Sequence, residues 1–95
     1  MDNHHIHLHV IIKGRVQGVW YRAWTTEKAL SLGLLGWVRN RSDGSVEAVF
    51  SGPQQSVQQM LKLASKGPVL ARVDEIVSNI TEAPNVSGFE KWPTT

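Results

Sequence analysis

Cysteine is absent from this 95-residue sequence, which excludes disulfides, thiolate nucleophiles, cysteine-based zinc sites and iron–sulfur clusters together. Long apolar runs are missing as well. The longest mostly apolar stretch, Leu30 to Val38, is interrupted by two glycines and falls far short of the roughly 20 residues that span a bilayer. The stretch from Met1 to His9 is polar and histidine-rich, without the basic-then-apolar order of a secretory leader, so the cytoplasm is the expected compartment and no membrane partner is expected. Nor is there a surplus of charge: ten Lys and Arg against eight Asp and Glu leave +2, too little for a diffuse nucleic-acid surface.

What is present is ordinary globular composition, 41% hydrophobic and 19% charged, which excludes a disordered tail or a collagen-like fibre. The length bounds a single domain over residues 1–95, with residues 1–5 as a flexible lead. Ile6, Leu8, Val10 and Ile12 alternate with His5, His7, His9 and Ile11, the period of two of a half-buried strand. The next apolar set, Ala23, Leu30 and Leu34, predicts a helix buried along that face and stopped at Gly33. Leu35 to Arg41 and Ser45 to Phe50 read as strands joined by a tight Asp43-Gly44 turn. Val57, Met60, Leu61 and Ala64 mark a second helix, opened at Gly52-Pro53 and closed by Gly67-Pro68. Leu70 to Ile80 and Val86 to Trp92 supply the remaining strands.

This order, β-α-β-β-α-β with a last short strand, predicts an α+β, ferredoxin-like sandwich: an antiparallel sheet with both helices on one face and the first and third strands adjacent at its centre. The fold by itself assigns no function.

The chemistry concentrates in Gly14-Arg15-Val16-Gln17-Gly18-Val19-Trp20-Tyr21-Arg22. Such a short link from a strand to a helix exposes consecutive backbone N–H groups that need an acceptor. Curled at a helix N-terminus, with glycines admitting close approach, they make an anion site suited to phosphate. Arg22 falls in the first helical turn, where the dipole disfavours a cation by up to about 1 kcal/mol. A bound anion relieves that conflict, and a guanidinium grips two phosphate oxygens at once. Read alone, Arg22 is a solvated surface arginine, Arg15 reads either as a contributor to the phosphate field or as a solvent-facing charge, and the two glycines are mere turn formers. Asn40 shares a sheet face with Val38 and lies near the strand end. It reads either as a polar group aimed at the anion or as a hairpin-flanking amide bonded locally.

The same nine residues resemble the signature of the acylphosphatase family, and Gly36-Trp37-Val38-Arg39-Asn40 with the following Asp43-Gly44-Ser45-Val46-Glu47-Ala48 resembles the family's second motif. The similarity runs over nearly the whole chain, weakening in the tail Phe89-Glu90-Lys91-Trp92-Pro93. It implies metal-independent hydrolysis of the carboxyl–phosphate bond of acyl phosphates, with no cofactor. Arg22 would be the phosphate-binding arginine and Asn40 the residue that positions the attacking water. The amides of Arg15, Val16, Gln17, Gly18, Val19 and Trp20 would form the cradle, with inorganic phosphate or sulfate as competing anions. Tyr21 stands where the family usually has Phe, and its hydroxyl needs a partner. A monomer is expected, and the length suggests a stand-alone enzyme.

Other features read as structure. His4, His5, His7 and His9 invite a loose metal site, but the alternation makes His7 and His9 outward strand residues and leaves His4 and His5 ahead of the strand. Three Asn-x-Ser/Thr matches, at Asn40, Asn79 and Asn85, are chance without a leader. Trp24, Trp37 and Trp92 are expected to pack, and Trp20 to meet an acyl group. Two binding readings compete with the enzyme. An RNA-recognition module shares the element order, but its basic-Gly-aromatic third strand is missing from Ser45 to Phe50. A non-catalytic relative would keep the cradle and only bind or channel a phosphorylated ligand.

Overall fold

The chain runs β1 (His5–Arg15), α1 (Tyr21–Ser31), β2 (Leu35–Asn40), β3 (Val46–Pro53), α2 (Gln54–Lys66), β4 (Arg72–Ile80) and β5 (Phe89–Lys91) in a computed structural model that describes residues 4–95. Five strands form one sheet in the order β4-β1-β3-β2-β5, so β1 and β3 are neighbours as expected. The expectation of an antiparallel sheet is corrected at one edge: β5 pairs parallel to β2, Val38 opposite Lys91. The chain leaves β4 at one edge of the sheet and returns as β5 at the other, running alongside β2. Because β1 and β2 are both antiparallel to β3, the strands β1, β2 and β5 point the same way. Their C-terminal ends and the start of α1 therefore meet at one end of the molecule.

Alternation along the strands sorts the two sheet faces. Val10, Ile12, Val38, Val46, Ala48 and Phe50 are fully buried on the helix side, together with Val57 and Met60 of α2. Each of these side chains larger than alanine contributes roughly 1.5–3 kcal/mol by leaving water. On the other face Trp37 and Trp92 stack with ring centroids 4.3 Å apart, and the Arg39 guanidinium lies 4.8 Å from the Trp37 ring. His7 and His9 do point to this face, but neither is merely solvated. His7 Nδ1 shares a 2.6 Å hydrogen bond with Ser51 Oγ, and His9 Nε2 stands 2.6 Å from Glu47.

The apolar stripe of α2 is as predicted, with Val57, Met60 and Ala64 buried, and Pro53, which ends β3, stands as the residue immediately before the helix rather than within its first turn. In α1 the expected face is wrong. The buried residues are Tyr21, Thr25 and Ala29, while Leu30 is 58% exposed. The hairpin is also looser than a two-residue turn. Residues 41–45 form it, with Arg41 N–H donating to the Ser45 carbonyl and Asp43 Oδ1 accepting from both Ser45 N–H and Ser45 Oγ–H. The flexible lead expected over residues 1–5 lies outside the described residues at positions 1–3, and is replaced by structure after that. His5 opens β1 opposite Pro53, and the His4 carbonyl accepts from Gln54 N–H at 2.9 Å. Among the described residues, no helix is long and apolar enough to cross a membrane.

Candidate active site

Two glycines shape the path from β1 into α1. The pairing of β1 with β4 slips between Lys13 and Gly14, where Gly14 has φ +131° and a Cβ would lie 2.2 Å from the Arg72 carbonyl oxygen. Only glycine fits that bulge. Gly18 turns the loop with φ +72°, and Trp20, the residue before the helix, also takes φ +66°. A left-handed bulky residue is strained. Here the strain leaves Trp20 standing 79% exposed at the head of α1.

This loop leaves its amides unpaired. The first helical bond runs from Trp24 N–H to the Trp20 carbonyl, so the N–H groups ahead of it have no intrahelical partner. Among the described residues, no protein acceptor takes the amides from Val16 to Ala23. No side chain caps α1, and its first turn carries no acid. The positive helix end is thus left to whatever anion enters.

Around these amides lies a cleft of about 330 Å³, lined by Val16, Gly18, Trp20, Tyr21, Arg22, Ala23, Asn40 and Lys91. Arg22 and Asn40, singled out in the sequence from separate segments, therefore face one space. The Asn40 Oδ1 atom is shielded from solvent and accepts no hydrogen bond from the described residues, an expensive state for a buried acceptor. Of the expected cradle, Val16, Gly18 and Trp20 line the cleft. The Val16 and Val19 side chains turn into the core, and Arg15 sits exposed at the end of the β1–β4 ladder.

Gln17 has a side-chain role that reading the loop as a string of amides missed. Its Nε2 donates to the carbonyls of Arg41 and Ser45, both at 2.8 Å, which fastens the loop to the hairpin beside Asn40. Tyr21 finds its partner in the Ala64 carbonyl at 2.6 Å, and desolvation pushes its phenol well above the ordinary range. Lys91 was also missed as a cleft residue. A lysine near a strand end carries no sequence signal, and only the register of β5 brings it beside Val38. Among the described residues, no group of three His, Asp or Glu could hold a metal ion.

The family model for acylphosphatase matches residues 8–91. The acylphosphatase of Rhodospirillum rubrum is 53% identical over 85 residues, covering 90% of this chain and 93% of the relative. Among solved structures, an acylphosphatase from Coxiella burnetii superposes with a TM-score of 0.89 at 33% identity, covering 95% of this chain and 94% of the other. That from Bacillus subtilis gives 0.86 at 30% identity, covering 92% and 98%. With the loop, the arginine and the asparagine in one cleft and matches of this extent, the chain belongs to the acylphosphatase family.

Proposed function

We propose that the cleft performs the acylphosphatase reaction by seating the phosphoryl group of an acyl phosphate among the free amides of the β1–α1 loop, against Arg22, and delivering water from Asn40. The activity class, a hydrolase acting on acid anhydrides, follows from the family. The observation that carries the mechanism is the unbroken run of unpaired N–H groups from Val16 to Ala23 in the same cleft as Arg22 and the orphan acceptor of Asn40.

The chemistry asks for little more. A water oxygen bonds to phosphorus as the bridging P–O bond breaks, and the electron pair leaves with the carboxylate. The carboxylate is stable unprotonated, so no general acid is needed, and none of the residues lining the cleft is Asp, Glu or His. The water's proton passes to a phosphoryl oxygen, giving a carboxylate and inorganic phosphate. Catalysis then rests on positioning and on donors already aimed where charge collects. Arg22 and the amides hold the three phosphoryl oxygens, and the Asn40 carboxamide aligns the water. Trp20 gives the acyl group an apolar wall. Metal takes no part in this scheme, and inorganic phosphate or sulfate competes for the same amides.

Phosphate release from acetyl phosphate in the presence of a chelator tests the proposal. The parent protein should work undiminished. Arg22→Ala should abolish both turnover and phosphate binding. Asn40→Ala should keep the fold and the phosphate affinity but lose about 100- to 1000-fold in kcat. Near-normal turnover in Asn40→Ala removes it from the mechanism, and rescue by added magnesium or zinc overturns metal independence. The proposed setting is a cytoplasmic monomer without nucleic-acid or membrane partners, which cell fractionation and sedimentation check.

A further inference from the structure

Lys91 is a cation that the hydrolytic mechanism does not use. It lines the cleft with Arg22, Asn40 and Trp20, and the register of β5 explains why. Phe89, two residues earlier, is buried on the helix side of the sheet, so strand alternation turns Lys91 to that same side. There it lies opposite Val38, past the end of the hydrophobic core and beside the start of α1.

Lys91 forms no ion pair with any described residue, whereas Lys13, Arg39, Arg41 and Arg72 all do. The adjacent carboxylate, Glu90, is engaged elsewhere: its Oε1 accepts from Trp92 Nε1 at 2.9 Å, and Trp92 stacks on Trp37. The first turn of α1 has no acid to offer. The cleft therefore holds a second cation beside Arg22, one that no described carboxylate satisfies. Trp20, exposed and strained at the mouth, supplies an apolar surface between the loop and solvent.

We propose that Lys91, with Trp20 as the apolar wall, forms a subsite for the acyl portion of the substrate and selects acyl phosphates that carry a second negative charge, a carboxylate or phosphate on the acyl chain. The inference rests on the hydrolase reading of the cleft and adds the substrate class. Lys91 is exposed, so its attraction for that second anion is of the solvent-screened kind, worth about threefold to fivefold in selectivity and weakened by salt.

The test compares kcat/KM for acetyl phosphate, with no second charge, and succinyl phosphate, with a distal carboxylate, in the parent, Lys91→Gln and Lys91→Arg proteins. Thermal melts confirm that each is folded. Lys91→Gln should lower kcat/KM for succinyl phosphate about threefold to fivefold and for acetyl phosphate less than about twofold. Lys91→Arg should retain the preference, and raised ionic strength should shrink it in the parent. Inhibition by inorganic phosphate should change less than about twofold in Lys91→Gln. An equal loss on both substrates, or weakened phosphate inhibition, would assign Lys91 to the phosphoryl group and overturn the subsite. An unchanged ratio would overturn it too. A parent protein that releases no phosphate from either compound beyond spontaneous decay overturns the hydrolase reading itself, a result distinct from the other two.

Discussion

Tyr21 illustrates how one hydroxyl is accommodated beside the cleft. In a helix the Ala64 carbonyl would accept from the N–H four residues on, but that residue is Pro68, which has none. The Tyr21 hydroxyl donates there instead and ties the head of α1 to the tail of α2. Tyr21→Phe should therefore fold and retain activity within about twofold, yet lose about 1–3 kcal/mol in urea unfolding, because the carbonyl stays buried without a donor. At this scale the site divides by how local its cause is. Arg22 was legible because glycines, a short loop and a helix start all lie within one stretch of sequence. Asn40 was legible through strand parity from Val38. Lys91 was not, since what brings it to the cleft is a pairing made far along the chain.

Among the elements, α2 and the β2–β3 hairpin were readable because their signals are periodic and contiguous. In the first helix the apolar residues Ala23 and Leu30 do not mark the buried face. The buried stripe is instead Tyr21, Thr25 and Ala29, an aromatic, a threonine and an alanine at fourfold spacing, and the apolar Leu30 faces solvent. Strand β5 has only three residues, too few to carry a pattern, and its parallel pairing with β2 follows a connection from the opposite edge of the sheet. The C-terminal residues beyond β5 also bear on the site. Thr95 N–H donates to the Asn40 carbonyl at 3.1 Å, and the Thr95 carbonyl accepts from Ser42 N–H at 2.8 Å. These bonds hold the end of β2 in place. Removing residues 93–95 should lower kcat by about threefold to tenfold through a less well aligned Asn40, with inorganic phosphate inhibiting as before. Single-turnover rates beside phosphate inhibition separate the two effects.

Across the whole molecule, the open sheet face carries a charge cluster with a clear pH signature. Burial alone would raise the Glu47 carboxyl, but the hydrogen bonds from His9 and Arg39 outweigh it and hold the group below its usual value of 4.5. A carboxylate lowered on folding contributes its full stability above the unfolded pKa and loses it as pH falls through the folded one. The difference in Tm between the parent and Glu47→Gln should be complete at pH 7 and close below about pH 4, as melts across that range would record.

The sheet order has a kinetic consequence. The interior strand β1, made first, is flanked by β3 and β4, partners from the middle and the last third of the chain. Neither neighbour is available by a simple reversal of direction, so the search for contacts is dominated by large loops whose closure must precede any reward. Refolding should occupy milliseconds to seconds rather than microseconds, with both edges of the earliest strand unsatisfied until the search ends.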